Sequence, residues 1–431
     1  MSLTRRALFA MALIALLAIA GLWSEDATLA RLWEIPGVLL LAGLTIEGIL
    51  RLRAAVKLDV DLSTQAHLGR TTALEWRCAS LRGPVTLEFA RCAPAGVEFT
   101  DSVEVVHVAR DATVRLPFEV TPLILGKLRW PSAAARIRGL FGLGWWPRRL
   151  NIDGVLTVVP DLLRRSNASP ALAQRGGTAR TVRGAGAEVH ELREYHPGDP
   201  LRSIDWKASA RAQRLIARDF TEDQHLEVMV AIDAGRASTL WAGRMDRLGH
   251  YVNFACRFAE HVVSRDDQIG VIAFAEQPLA ILPPGRGAPA VIRLRNALKD
   301  LRPVSRESNP LIAAARLRTL CRQRALIILL TDLDDAGAAS QLARAVRLLK
   351  PKHVPVVASI ANPELADLER QRAERWVDPY VSLAATEQLD RIRGNAFLLR
   401  KLGVPVVISP AGLLEDSVFS LYGDLKARRQ V

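Results

Sequence analysis

The chain has 431 residues, too many for one ordinary hydrophobic core, so two or three domains are expected. Apolar residues make up 49% and charged residues 24%, which excludes a disordered or low-complexity chain. The net charge of +13 points to an anionic partner, but the bases are mixed with acids and no RNA- or DNA-binding motif occurs, so a membrane surface is expected and nucleic acid is not.

Residues 7–23 (ALFAMALIALLAIAGLW) form an apolar run behind Arg5 and Arg6, and a second run, Ile35 to Leu50, is followed by Arg51, Arg53 and Lys57. Both sit at the short end of the roughly 17–25 residues that cross a bilayer. Between them lie Glu25, Asp26 and Glu34 against Arg31 alone, so the basic flanks share one side. The positive-inside rule predicts a transmembrane helical hairpin (7–23 and 35–50) in the inner (plasma) membrane, with both ends and the bulk of the chain cytoplasmic. The rival is a cleaved signal peptide, because Ala18-Ile19-Ala20 resembles a cleavage site and Thr4-Arg5-Arg6 mildly resembles a twin-arginine start. The second run and the bases behind it favour the anchor. Glu47, awkward in that run, is expected to reach the interface.

From Val56 to about Pro160 short alternating runs (KLDVDLS, ALEWRCAS, VTLEFARC, TVRLPFEV, GVLTVVP) are punctuated by Gly, Pro and Asp, the pattern of an all-β sandwich. Within it, Arg138-Gly-Leu-Phe-Gly-Leu-Gly-Trp-Trp-Pro147 reads as a turn with aromatic residues tucked onto the sandwich or as an interfacial contact. The four cysteines (Cys78, Cys92, Cys256, Cys321) show no CxxC and no His partner spacing, so free thiols are expected.

After Phe220 compact apolar runs at 226–232, 269–274, 326–330, 354–360 and 404–408 alternate with helical segments, as buried, mostly parallel strands do. Met245, Leu248, Val252, Ala255, Ala259 and Val262 make one helical stripe, and AEQPLAI at 275–281 suggests an antiparallel edge hairpin. The sum is a doubly wound α/β domain.

In such sheets ligands bind beyond the carboxyl ends of the strands. Asp233 and Asp332 stand there, and with Ser308 they form a candidate site for a hard cation such as Mg²⁺. Strand-ending Asp, long helix, edge hairpin and strand-ending Thr-Asp resemble a von Willebrand factor type A domain, whose metal site uses Asp-x-Ser-x-Ser, a loop Thr and a later Asp. The present chain reads Asp233-Ala234-Gly235-Arg236-Ala237-Ser238, so both serines are missing, and Ser238 falls one residue late. The other reading of the two acids is structural: they cap helices or bind loop amides. Asp332-Leu333-Asp334 also resembles the Asp-x-Asp of haloacid-dehalogenase-type phosphohydrolases, but the fifth position is Ala336 and the motif falls late in the domain. No GxxxxGK(S/T), no GxGxxG at the first β–α turn and no Ser/His/Asp or Cys/His set can be placed.

Between the two regions lies Gly184 to Asp219, GAGAEVHELREYHPGDPLRSIDWKASARAQRLIARD, too apolar for a solvated linker. Pro197-Gly198-Asp199-Pro200 is a turn signal that would fold an acidic-aromatic arm onto a basic one. Glu191, Glu194, Asp199 and Asp205 would then pair with Arg193, Arg202, Lys207 and Arg211, with Tyr195 and Trp206 packed beneath. With His190 and His196 these acids match no zinc spacing, so a structural clasp or a docking face is expected there. The run from Glu191 through Tyr195, Gly198, Asp199, Arg202, Ile204, Asp205, Trp206, Lys207 and Arg211 closely resembles the signature of the DUF 58 family. Members often accompany MoxR-type AAA+ ATPases, so the resemblance implies a membrane-anchored, non-catalytic adaptor or scaffold with such an ATPase as partner and protein clients not identified. The expected division is 1–55 anchor, 56–160 β-sandwich-like domain, 161–225 joint and 226–431 von Willebrand A-like domain. No cofactor is expected unless Mg²⁺ occupies the degenerate site. The alternatives are a metal-dependent phosphohydrolase-like enzyme using Asp233, Asp332 and Asp334, or a metal-dependent adhesion module.

Overall fold

The computed structural model describes residues 2–23, 31–53, 56–62, 65–80, 83–100, 102–161, 182–196, 199, 201–222 and 225–428. The chain forms two compact units, residues 1–161 and 162–431.

The first unit runs β1 (Ser2–Leu3), α1 (Arg5–Leu22), α2 (Glu34–Arg53), β2 (Val56–Val60), β3 (Ala66–His67), β4 (Thr72–Ser80), β5 (Val85–Ala90), β6 (Val97–Phe99), β7 (Val103–Val108), β8 (Thr113–Pro122), β9 (Gly126–Arg129), β10 (Ala133–Arg138), β11 (Gly144–Leu150) and β12 (Val155–Val159). Thr4 caps α1, its hydroxyl accepting from the Ala7 amide at 3.4 Å. Among the described residues α1 is the one helix long and apolar enough to cross a membrane. α2 is a 20-residue helix, but Glu34, Glu47, Arg51 and Arg53 interrupt its apolar character.

Three sheets follow, ordered β1-β11-β10-β5-β7, β2-β4-β8-β6 and β3-β12-β9. The expected strand-rich region is present, with more parts than a plain two-sheet sandwich: a separate three-stranded sheet, and a strand from before the first helix joined to β11. Alternation explains the packing. Leu74, Trp76 and Cys78 on β4 all point inward, as a period of two requires. The Trp76 ring lies 5.3 Å from Phe89 of β5, 5.5 Å from Phe118 and 6.0 Å from Trp130, so this aromatic cluster joins the two larger sheets.

The second unit contains β13 (Val182–Glu194), α3 (Trp206–Ala212), β14 (Ile216–Glu222), β15 (Glu227–Asp233), β16 (Trp241–Ala242), β17 (Met245–Asp246), α4 (Arg247–Val263), β18 (Gln268–Phe274), β19 (Pro278–Gly285), α5 (Gly287–Leu298), α6 (Pro310–Leu320), β20 (Ala325–Leu330), α7 (Ala336–Leu349), β21 (Val354–Ala361), α8 (Pro363–Arg370), α9 (Asp378–Lys401), β22 (Val406–Pro410) and α10 (Leu414–Ala427). Its main sheet is ordered β19-β18-β15-β20-β21-β22. Five strands are parallel and β19 is the antiparallel edge, as expected from the apolar runs and the 275–281 return. All six residues of β20 are buried. A strand covered on both faces needs no alternation, and each of its Leu and Ile side chains contributes about 1.5–3 kcal/mol by leaving water.

On one face Met229, Ala231, Ile327, Leu329 and Val357 pack with Leu317 of α6, Val346 of α7 and Ala396 of α9. Against α4, α10 brings Phe419 and Tyr422 to Phe258 at 5.4 and 5.5 Å. The α4 stripe is buried as its spacing predicts, except that Met245 lies in β17 before the helix begins. All four cysteines are free, and burial pushes the Cys78 and Cys321 thiols up to about 12.

Candidate functional site

The sheet order reverses beside β15, between neighbours β18 and β20, and at that point Asp233 ends β15 and Asp332 follows the end of β20. Asp233 is buried and fully engaged. Its Oδ1 accepts from the Gly235 amide at 2.9 Å and from the Ser308 hydroxyl, and its Oδ2 accepts from the Thr331 hydroxyl at 2.7 Å. Asp233 and Ser308 are thus brought together, by a direct hydrogen bond between them. Ser238 points elsewhere, donating to the Gly235 carbonyl at 2.6 Å.

Asp332 has a different partner. Its Oδ1 accepts from the Leu333 amide at 3.0 Å, and its other oxygen contacts the guanidinium of Arg247. The same Arg247 nitrogen donates to Asp334 at 3.1 Å. Arg247 and Asp332 are both buried. One turn along α4, the Tyr251 hydroxyl donates to the Thr331 carbonyl at 3.3 Å and accepts from the Ile360 amide at 3.4 Å. Burial, first, pushes this phenol up to about 12.

These residues do not fit a divalent cation. Such an ion needs carboxylate and hydroxyl oxygens converging on one point. Here the charge of Asp332 and Asp334 is met by a guanidinium from the chain itself, and the lone pairs of Asp233 are taken by hydroxyls and an amide. Among the described residues no group of three or more His, Cys, Asp or Glu could hold a metal ion. Sequence reasoning missed Arg247. Its signal was a base in the first turn of a helix, where the macrodipole disfavours positive charge and an acidic partner is needed.

The arm at the start of the second unit is the second candidate. β13 and β14 pair antiparallel, with Glu194 opposite Ile216 and Leu192 opposite Arg218, and bulges interrupt β13. The chain returns through a short 3₁₀ turn, Leu201–Ser203, and α3. Asp205 caps α3, accepting from the Lys207 and Ala208 amides at 3.0 Å each, and Gln213 closes it in the left-handed region at φ 53°. The Ser209 hydroxyl accepts from the Ile216 amide at 2.9 Å, tying the helix to β14.

The expected clasp forms in part. Arg193 grips Asp199 with two bonds of 2.7 and 2.8 Å, while the His196 amide donates to Asp199 at 2.9 Å and the Tyr195 hydroxyl to its carbonyl at 3.2 Å. Arg193 first, then that amide, holds the Asp199 carboxyl well below the usual carboxylate range. Glu194 pairs with Arg214 at 3.5 Å. Asp205 caps α3, and one expectation is corrected: Trp206 does not pack beneath the turn but stands 68% exposed. Lys207 and Arg211 are exposed on the same helix, and Leu201 and Leu215 are exposed nearby. Gly198 and the side chains of His190, Glu191 and Arg202 lie outside the described residues.

Residues 191–379 match the family described as "Protein of unknown function DUF58", so the resemblance expected from the arm's signature holds over this span. Comparison with curated proteins gave no match. Among solved structures the chain is similar to the conserved hypothetical protein BatB from Bacteroides thetaiotaomicron, at 15% identity and a TM-score of 0.33, over 47% of this chain and 99% of that one. It is also similar to the SpRpn10 VWA domain, at 13% identity and a TM-score of 0.29, over 45% of this chain and 94% of that one. A third similar structure is proximal thread matrix protein 1 from the mussel byssus, at 12% identity and a TM-score of 0.28, over 46% of each chain. The chain's own topology carries the von Willebrand A-like assignment: strand-ending Asp233, helix α4, the β18–β19 edge hairpin and strand-ending Thr331-Asp332 occur in the expected order.

Proposed function

We propose that this chain, with its DUF58 match over residues 191–379, is a membrane-anchored, non-catalytic adaptor that presents the braced arm to a partner. The exposure of Trp206 carries this reading. An indole left in water on a helix that is capped, closed and hydrogen-bonded in place is a preorganised contact, and Trp with flanking bases is a common hot-spot composition. The acids at the carboxyl ends of the central strands support the non-catalytic part. Asp332 and Asp334, the pair a phosphohydrolase would need free, are held by Arg247.

In this reading α1 and α2, which contact one another, act together as the anchor hairpin, with Arg5, Arg6, Arg51, Arg53 and Lys57 on the cytoplasmic side. The chain then lies N-in and C-in in the inner membrane. The partner is a MoxR-type AAA+ ATPase. This rests on the family resemblance, and the exposed arm supplies a surface for it. The work done is assembly or stress handling of other proteins.

The test is recovery of partners from solubilised membranes with the wild type and with a Trp206→Ala, Lys207→Ala variant of equal melting temperature. An AAA+ ATPase recovered by the wild type and depleted from the variant is the expected result. No ATPase with either protein counts against the partner assignment, and equal recovery counts against the arm.

A further inference from the structure

The tip of the β10–β11 hairpin has the wrong composition for a solvated turn. Turn tips favour Asn, Asp, Ser and Pro beside Gly. Here residues 139–144 read Gly-Leu-Phe-Gly-Leu-Gly, with Leu140 72% and Phe141 52% exposed.

The tip is clamped to both N-terminal helices. The Thr4 hydroxyl donates to the Gly142 carbonyl at 2.6 Å, the Thr4 amide donates to the Leu143 carbonyl at 2.9 Å, and Leu3 pairs with Gly144. From α2, Glu47 is only 1% exposed, and its carboxylate accepts from the Leu143 amide at 3.1 Å and the Gly144 amide at 3.0 Å. A carboxylate in an apolar helix is costly unless its oxygens are satisfied. Two amides of the hairpin satisfy it, so Glu47 does not reach outward to the interface as the sequence suggested. Glycines permit the approach: a side chain at Gly139 would strike the Glu47 carboxylate, and Cβ atoms at Gly43 and Gly48 would come within 2.9 Å of Leu143 and 3.1 Å of Trp146.

Thr4 sets the depth. It directly precedes Arg5 and Arg6, the bases that face headgroups if α1 enters a bilayer. The exposed Leu140 and Phe141 are therefore held level with the first turn of α1, whose Leu8 and Phe9 are also exposed. Arg148 and Arg149 are exposed further along β11.

We propose that the hairpin tip, Leu140 and Phe141, inserts into the headgroup–acyl boundary of the phospholipid bilayer that α1 enters, making the β unit a membrane-seated platform. The inference rests on the anchor reading above. The occupant is lipid because the exposed apolar tip continues the exposed apolar surface of α1, and because Leu and aromatic residues flanked by Arg are the composition of interfacial segments.

The full chain in phospholipid nanodiscs tests this. A nitrobenzoxadiazole label is placed at Leu140→Cys, Phe141→Cys, Leu16→Cys or Val105→Cys, each with Cys92→Ser, and is quenched either by iodide or by spin-labelled lipids. Labels at 140 and 141 are expected to lose at least half their emission to lipids spin-labelled near the headgroup and to be shielded from iodide. Val105, exposed on β7, is the aqueous reference and Leu16 the deep one. Labels at 140 and 141 that behave like 105 overturn the proposal, and so do labels shielded from both quenchers, which would mark a protein contact. If 16 is quenched in the bilayer while 140 and 141 are not, this inference alone fails. If 16 is also open to iodide, the anchor reading fails with it.

Discussion

Arg247, in the first turn of α4, lays its guanidinium against Asp332, which follows the end of β20, and donates to Asp334 from the same nitrogen at 3.1 Å. A side chain thus supplies the positive charge at the point where the sheet order reverses. Removing one partner of a buried ion pair leaves the other uncompensated, a loss of about 3–5 kcal/mol. Arg247→Met is expected to lower the melting temperature markedly. Pairing it with Asp332→Asn should recover part of the loss. Equal melting of Arg247→Met and wild type would show that the pair is not what holds this end of the sheet.

The same geometry predicts indifference to divalent ions. With Arg247 in place, EDTA or millimolar Mg²⁺ should leave the melting temperature unchanged, since a ligand that binds only the folded state raises stability in proportion to its occupancy. A rise with Mg²⁺ that Asp332→Asn abolishes would reverse this reading and restore the metal site.

Gly235 stands where the von Willebrand A pattern has its first serine. An added Cβ would strike the Ser308 hydroxyl and lie 3.0 Å from the Arg306 carbonyl. Gly235→Ser is therefore expected to destabilise by about 1–3 kcal/mol rather than rebuild a metal site. Gly235→Ser with Ser308→Ala should regain part of it, because the clash and the hydroxyl leave together. Denaturant midpoints at fixed m-value measure both.

Much of this domain was legible because parallel strands buried on both faces appear as continuous apolar runs. Its edge hairpin followed from the short return after Phe274. The unread parts depended on distant partners. Glu47 is answered by amides of Leu143 and Gly144, nearly a hundred residues away, and no local pattern announces a backbone donor. β1 is two residues long, too short to show alternation. Trp206 looked like core because aromatic residues are usually buried, and the cap made by Asp205 went unread because an Asp among bases suggests ion pairs first.

His261 gives the α/β domain a pH dependence. Its ring stacks on Phe419 at 4.4 Å, and burial, with Arg265 and Lys426 nearby, lowers its pKa to about 4 from the usual 6.5. Lys426 also pairs at 2.6 Å with Asp267, which Tyr422 contacts through its hydroxyl. Above pH 6.5 the imidazole is neutral folded or unfolded and adds no slope. Between 6.5 and about 4 the unfolded chain takes up a proton that the folded chain refuses, so stability falls as pH falls. His250 and His353, also lowered by burial, act in the same direction. His261→Phe keeps the stack and should flatten the loss between pH 6.5 and 4 while matching wild type at pH 8. An unchanged slope would place the dependence in the other two histidines.

Asp205 and Trp206 are adjacent but do different work, which allows folding and recognition to be separated on the arm. Asp205 caps α3 through two amides, so Asp205→Ala should loosen that helix by about 1 kcal/mol. Faster amide exchange confined to residues 206–212 and their β14 neighbours would report it. Trp206 is largely in water and the cap beside it is made by Asp205, and a surface side chain that makes no such bond changes stability by about 0.5 kcal/mol or less. Trp206→Ala is therefore expected to leave exchange and melting unchanged and to weaken partner capture. Asp205→Ala should weaken capture only as far as the helix is lost, and a partner added in excess should restore it by selecting the folded arm. Accelerated exchange in Trp206→Ala would mean that the indole supports the arm, and the docking assignment would then lose the residue on which it stands.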